Sequence, residues 1–390
     1  MGKRQHYVPQ FYLKNFATPQ SQVGFYRFAD DLYRSEVPIS SILFENWFYD
    51  QDNSYEHALS SMESQWNASL NSILSGIGDY EELVIRNPMD FLHVLSFVSF
   101  SEVRTSKRIN GQKFVLRNMI EDIRQRVGED AFSKVSMFDD LDLDYMPTQI
   151  NLEAGTELFK LLLDLDWLFI VNITGRDFIT CDAPVASINP YLVRRQWKGG
   201  FGNGAIGLQK LIPLSNRVCL CLYDSLAYNC FEDFICVTLD DTRIVRRINK
   251  LFVENSMEQI VFHPSFPRCE AKGLCKGKKY VELDEELQVF ESDDGNLAYG
   301  MSHVSSKSTL MLPWLSFNEK AMNIPFPSNM AGLLRPYVKM IGTNPLEDTY
   351  FPGDVKPFVG RLANVYTKNS SRHPRPCGII LDNKLNADRN

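Results

Sequence analysis

The clearest periodicity in the chain runs over residues 54–77, where Tyr55, Leu59, Met62, Trp66, Leu70, Ile73 and Ile77 recur at spacings of three and four. That spacing lays an apolar stripe along one face of an α-helix, which Gly76 and Gly78 bring to an end. A second helix opens near Pro88 and runs to about Arg104. Phe91, Leu92, Val94, Leu95, Phe97, Val98 and Phe100 surround it on nearly all sides, so it is predicted to be central and buried. Further helices are predicted near 113–134 and 152–165. The texture then changes to short apolar runs bounded by turn residues, at 167–173, 177–185, 208–215, 217–224 and 258–264, which read as strands. Between the last two, Thr238 with Asp241 resembles a capping box opening a helix to about Met257, with Ile244, Val245, Ile248, Leu251 and Phe252 as its stripe.

Near the start, residues 24–30 and 32–40 are strand-like. They follow the segment RQHYVPQFYLKNF, residues 4–16, in which Pro9 separates an extended piece from a short helical turn. The pattern as a whole predicts an α+β fold, with a helical N-terminal half packed on an antiparallel or mixed β-sheet built largely from residues 167–264. Beyond Pro267 the chain turns polar and glycine-containing. The predicted organisation is therefore a core over residues 1–267, a smaller C-terminal addition with strands over 268–366, and a loose polar tail over 367–390.

Composition narrows the function classes. With 44% apolar and 23% charged residues the chain has enough apolar material for a large core, which excludes a disordered protein. No apolar run approaches the ~18–20 residues of a membrane span. No apolar run follows the basic start, and His6 stands where a myristoylation signal has Ser or Thr. The expectation is a cytoplasmic protein with no membrane partner. Eight cysteines in 390 residues are too sparse for a disulfide scaffold, and Cys269 and Cys275 do not have a zinc-pair spacing. The P-loop, zinc-peptidase and nucleophile-elbow motifs are absent. Gly202, Gly204 and Gly207 match G-x-G-x-x-G, but a strand rather than a helix should follow, which is the wrong context for a dinucleotide. No cofactor and no metal are expected, and no motif calls for a homo-oligomer.

Charge is unevenly distributed. Residues 121–166 carry 12 acidic and 4 basic side chains, whereas Ala183–Tyr223 holds no Asp or Glu at all. The acid-free stretch bears Arg194, Arg195, Lys198, Lys210 and Arg217, with Trp197 among them. It reads either as a solvated face or as an anion- or nucleic-acid-binding loop, where Arg194, Arg195, Lys198 and Lys210 would pair phosphates and Trp197 would stack a base.

The opening RQHYVPQFYLKNF resembles the signature of the bacterial family called domain of unknown function 4238. Later pieces keep the family's order: ENWFYD (45–50), a helix with an internal Glu at Glu63, SEVRTSKR (101–108), FITCDAPV (178–185), LIPLS (211–215) and a late Asn at Asn249. The chain departs from the pattern at Ser101 and Glu102, where a Gln often precedes the Arg, and at Ser106, where the family often has Pro. The resemblance implies a fold and a set of candidate positions, and no reaction.

Those positions are His6, Glu63, Arg104 and Asp182. His6 is a general acid–base candidate in an aromatic segment. Glu63 falls at the edge of the buried arc of its helix, where a carboxylate needs a partner. Arg104 closes the apolar helix, suited either to a phosphate or to a structural pair with Glu63. Asp182 ends a strand before Ala183-Pro184, a place equally fit for catalysis and for turn chemistry. Together they suggest a metal-independent nuclease or phosphodiesterase acting on RNA or another nucleic acid, in the manner of a bacterial toxin or antiviral defence effector. The alternative is a non-catalytic ligand-sensing or protein-interaction module, in which the same polar groups are structural.

Overall fold

The computed structural model describes residues 4–50, 54–77, 83–85, 87–132, 145–197, 201–230, 235–278, 287–291, 297–301, 308–323, 325, 333–343 and 379–381. The chain opens with β1 (Arg4–His6), α1 (Gln10–Leu13), β2 (Gln22–Arg27), β3 (Leu32–Pro38) and β4 (Phe44–Asn46). A helical stretch follows: α2 (Ser54–Gly76), the short β5 (Leu83–Ile85), α3 (Met89–Val103), α4 (Ser106–Val127), α5 (Glu129–Phe132) and α6 (Met146–Leu162). Next come β6 (Asp166–Asn172), β7 (Thr180–Cys181), β8 (Ala186–Ile188), α7 (Pro190–Arg194), β9 (Gln209–Pro213), β10 (Val218–Tyr223), β11 (Tyr228–Cys230) and β12 (Cys236–Leu239). The chain continues through α8 (Thr242–Asn255), β13 (Gln259–Phe262) and α9 (Arg268–Cys275). Among the described residues beyond these are β14 (Leu287–Glu291), β15 (Leu297–Met301), β16 (Leu315–Phe317), α10 (Glu319–Asn323), α11 (Pro336–Thr343) and β17 (Ile379–Leu381). The α+β class holds, with helices dominating the N-terminal half.

The main sheet has the order β12-β6-β10-β9-β8, antiparallel throughout except for the parallel pair β12 and β6. Both of its faces are covered, which is why β6 and β10 are continuous apolar runs rather than alternating ones. On β6, Trp167, Phe169 and Val171 face a core built with α2, α3 and α6, while Leu168 and Ile170 face a second core with α8. Phe91 of α3 meets the first face edge-on at Trp167, with ring centroids 4.8 Å apart. Helices α3 and α6 approach closely because Gly155 has no side chain; a Cβ there would lie 3.1 Å from Phe100 and 3.2 Å from Val103.

A second sheet, β3-β2-β13-β7, is antiparallel and joins the N-terminal hairpin to a strand more than 200 residues later, with Tyr26 opposite Ile260. The sheet predicted from residues 167–264 thus becomes two, one of which recruits strands from before residue 40.

Several element boundaries differ from the sequence expectation for local physical reasons. Helix α4 begins at Ser106, not near 113, because Thr105 caps it by accepting from the Arg108 N–H at 3.3 Å. Only Arg104 and Thr105 therefore separate α3 from α4. Helix α6 starts at Met146 with Pro147 in its first turn. The predicted strand 177–185 shrinks to Thr180–Cys181, since Phe178 N–H donates to the Asn216 carbonyl and Ile179 N–H to Asn249 Oδ1. Asp241 alone caps α8, and Thr238 belongs to β12. The polar segment after Pro267 forms α9, whose Ala271, Leu274 and Cys275 enter the second core. Leu310, Leu312, Leu315, Ala321 and Leu333 enter it too, and β16 pairs with β11. Within the predicted C-terminal addition residues 279–286, and most of the tail from 367 onward, lie outside the described residues.

Candidate functional site

The N-terminal signature is organised by Gln5. Its buried side chain donates to the Asp50 carbonyl at 3.0 Å and to Asp50 Oδ1 at 2.9 Å, and accepts from Tyr49 N–H at 2.7 Å. Asp50 in turn accepts from Tyr55 N–H at 2.6 Å at the start of α2. This network fixes β1 beside β4 and beside the first turn of α2, and so places His6 and Tyr7 against the end of α3.

Arg104 is delivered there by the apolar surface of α3, and it is completely buried. Its Nη2 donates to Glu63 Oε1 at 2.7 Å, its Nε donates to the Tyr7 carbonyl at 3.2 Å, and its guanidinium lies 6.0 Å from the Trp66 ring. Its Nη1 has no hydrogen-bond partner. Leaving a buried donor unmade typically costs about 1–3 kcal/mol, more when it is charged.

His6 lies beside this arginine. Its Nδ1 is 3.3 Å from Gln10 Nε2, its ring leans on Phe44, and Nε2 is buried. Burial lowers the imidazole pKa from its ordinary value of 6.5. Hydrogen bonding to the Ser40 backbone opposes that shift, and the positive charges of Arg104 and Arg4 reinforce it. His6 is therefore biased to the neutral form, in which one nitrogen presents a lone pair.

Tyr49 is the hub of the carboxylate side. Its buried hydroxyl donates to the His6 carbonyl at 3.1 Å. Burial holds its pKa far above the ordinary phenol value; Arg104 acts against that, and Glu63, Glu56 and Glu45 add to it. Glu56 and Glu63 are seven residues apart on α2 and so share a face. Burial together with the Glu63 charge raises the Glu56 pKa above its ordinary 4.5. Glu45 accepts from Ser106 Oγ at 2.6 Å. The structure thus brings together His6, Glu63 and Arg104, and adds Glu56, Glu45 and Tyr49. The signal for Glu56 was its seven-residue spacing from Glu63.

Asp182 is buried nearby, and its carboxylate is occupied by backbone. It accepts from the N–H groups of Met257, Glu258 and Gln259 at 3.0, 2.5 and 3.1 Å. Burial still raises its pKa above the ordinary 3.8, against those three hydrogen bonds. Its role in the fold is to hold the entry to β13; its charge reaches the Tyr7 phenol, which burial and then Asp182, Glu258 and Glu45 raise well above the usual value.

The acid-free stretch does not form one basic surface. Arg194 is exposed at the end of α7. Arg195 donates to Tyr191 Oη, the Ala321 carbonyl and the Met322 carbonyl at 3.2, 3.2 and 2.8 Å. Trp197 packs partly buried on the second core, and Lys198 lies outside the described residues. The expectation that Lys210 faces an anion in solvent is corrected: it is wholly buried, ion-paired with Glu102 and donating to Ser187 Oγ at 2.8 Å. Burial depresses its pKa against the pull of Glu102. Burial also works against ionisation of Glu102, but Lys210 prevails and holds that carboxyl below its ordinary range. Gly207 leads into β9 rather than a helix, so the glycine pattern at 202–207 has no helix N-terminus to offer a pyrophosphate.

Among the described residues no group of three or more His, Cys, Asp and Glu side chains could hold a metal ion, and the cysteines are free thiols. No described helix is long and apolar enough to cross a membrane. A neutral-leaning imidazole, a buried arginine with a free donor and a carboxyl of raised pKa form a set capable of acid–base chemistry on an oxyanion. A family model described as "Protein of unknown function (DUF4238)" matches residues 4–266. No curated protein and no solved structure matches the chain.

Proposed function

The chain belongs to this family of proteins of unknown function, and we propose that it is a metal-independent nuclease or phosphodiesterase, acting on RNA or another nucleic acid, whose site is the His6–Arg104–Glu56–Glu63 cluster. One observation carries the reading: Arg104 Nη1 is buried and unpartnered, and the arginine charge acts on the His6 imidazole. A phosphoryl group offers an oxygen acceptor to Arg104, and a hydroxyl beside it offers a proton to the imidazole. In this reading His6 takes the proton of the attacking hydroxyl, Arg104 stabilises charge on a non-bridging oxygen, and Glu56 returns a proton to the leaving oxygen. Glu63 and the Tyr7 carbonyl position Arg104. A cytoplasmic bacterial toxin or antiviral defence effector is the role that suits such an activity.

The complete burial of Arg104, with two of its nitrogens already bonded, favours a second reading: a non-catalytic ligand-sensing or protein-interaction module. Expression of the wild type, His6→Ala and Arg104→Ala in a bacterial host, scored for growth and total RNA integrity, separates the two. Arrested growth and degraded RNA with the wild type alone, at equal levels of folded protein, supports the enzyme. Intact RNA in all three cultures removes it and leaves the module.

A further inference from the structure

We propose that the folded chain forms an internal amide bond between Lys210 Nζ and Asn203 Cγ, with Glu102 moving the protons and ammonia leaving. These residues are apart from His6 and Arg104, and the bond does not depend on the reaction proposed there. One carboxyl group holds both reacting side chains. One oxygen of Glu102 accepts from Lys210 Nζ, and the other accepts from Asn203 Nδ2 at 3.1 Å. The amine and the carboxamide therefore stand side by side on neighbouring oxygens. Ser187 Oγ, 2.8 Å from Nζ, steadies the amine from a second direction.

Both partners are fixed in place. Lys210 lies on β9 between β8 and β10, opposite Ser187 and Leu222, and its side chain is fully enclosed. Asn203 is gripped through its backbone: its carbonyl accepts from Arg335 Nη1 at 3.0 Å, and the next carbonyl, of Gly204, accepts from the Arg335 N–H at 2.9 Å. A Cβ on Gly204 would lie 2.8 Å from Val338, so this loop packs directly on α11. Two reactants held in this way have already lost the freedom that a bimolecular reaction must give up, which is the main rate advantage of intramolecular chemistry. Enclosure is no obstacle, because both reactants and the proton carrier belong to the chain. Only ammonia has to leave, and Asn203 is half-buried rather than sealed.

The step balances. Lys210 passes one proton to Glu102 along their hydrogen bond, giving a neutral amine and a neutral acid and removing two charges from the interior. A half-turn of the Asn203 carboxamide presents Oδ1 to the protonated carboxyl, which polarises the carbonyl. The Nζ–Cγ bond forms and the Cγ–Nδ2 bond breaks. One proton of the amine passes by way of Glu102 to Nδ2, which leaves as ammonia. Lys210 ends as a neutral amide nitrogen and Glu102 as a neutral acid. The ion pair in the structure is the state before reaction.

The test follows the intact mass of the freshly purified full chain during a week at physiological temperature and neutral pH, with tryptic mapping at the end. The expected result is loss of one ammonia and a peptide over residues 199–217 that trypsin leaves uncut at Lys210, with fragment ions joining Lys210 to Asn203. Asn203→Ala, which leaves the buried ion pair in place, should stay at its sequence mass and be cut at Lys210. Glu102→Gln, shown to be folded by its thermal unfolding, should also form no link. An unchanged mass in the folded wild type overturns the proposal. So does loss of ammonia with Lys210 still cut, since that is ring closure of Asn203 onto the Gly204 nitrogen. Loss of ammonia at the same rate in Glu102→Gln, with the link formed, removes Glu102 as proton carrier and overturns the mechanism.

Discussion

Arg335 and Asp164 are 171 residues apart in sequence, and Arg335 Nε donates to Asp164 Oδ2 at 2.8 Å in the closed interior. The same guanidinium donates to the carbonyls of Asn203 and Ala205 at 3.0 and 3.1 Å and to that of Leu161. One side chain from beyond the family match therefore closes four acceptors at the end of α6 and in the loop before β9. That loop carries Asn203, which donates to Glu102 at 3.1 Å, two residues before Arg104. The C-terminal part of the chain is thus fastened to the helix that bears the candidate site.

Replacing Arg335 with Ala is expected to destabilise the protein by about 3–5 kcal/mol, because Asp164 is left as a buried, unpaired charge. Arg335→Lys should recover little, since an ammonium on a flexible stem cannot reproduce the planar fork that reaches four oxygens. Urea unfolding of both variants checks this. A loss below about 0.5 kcal/mol for Arg335→Ala would mean that the pair is solvated in solution.

The Lys210–Glu102 pair allows a cleaner experiment. Lys210→Met alone is expected to cost about 3–5 kcal/mol by stranding Glu102, and the double variant with Glu102→Leu should regain much of that loss. The pH dependence has a definite sign. Glu102 has a folded pKa below its ordinary 4.5, so its contribution is present above that value and is lost as pH falls below it. Denaturation midpoints of the wild type, Lys210→Met, Glu102→Leu and the double variant at neutral pH and near pH 4 measure both effects.

Local pattern carried much of the fold. The stripe on α2 and the all-round apolar surface of α3 identify those helices unaided, since periodicity needs only neighbouring residues. Pairing across distance was hidden. Nothing near residue 24 announces that β2 will lie beside β13, and nothing near Lys210 announces a carboxylate 108 positions earlier, so a buried cation looked like a surface one. His6, Glu63 and Arg104 could be singled out because the signature places them. Glu56 was overlooked because its importance depends on Tyr49 and Arg104, which reach it only in the folded chain.

Asp182 offers a way to separate architecture from chemistry. Its two oxygens receive three backbone N–H groups, and an Asn side chain has one acceptor oxygen and an NH2 that would face donors. Asp182→Asn should lower stability by about 1–3 kcal/mol. Any diesterase activity per folded molecule should be kept, because the carboxylate is committed to three backbone N–H groups at the entry to β13. Thermal unfolding and a rate normalised to folded protein decide it; a lost rate with unchanged stability would move Asp182 into the site.

The pH–rate profile tests the assignment of base and acid most directly. His6 works as a base only when neutral, and its pKa lies below 6.5, so the rate should climb as pH rises through a value on the acid side of that figure. Glu56 works as an acid only when protonated, and its pKa lies above 4.5, so the rate should fall again as pH passes through that raised value. The product of the two fractions peaks midway between the two pKa values. The charges facing these groups are Arg104 and Arg4 on His6, and Glu63, Arg104 and Asp50 on Glu56. Arg4 is exposed and touches neither Glu63 nor Glu56 in this structure, yet its charge depresses His6. Arg4→Ala should therefore move the low-pH limb to higher pH and leave the high-pH limb in place. A profile in which both limbs move together, or in which Glu56→Gln leaves the high-pH limb intact, would reverse the roles given to these two residues.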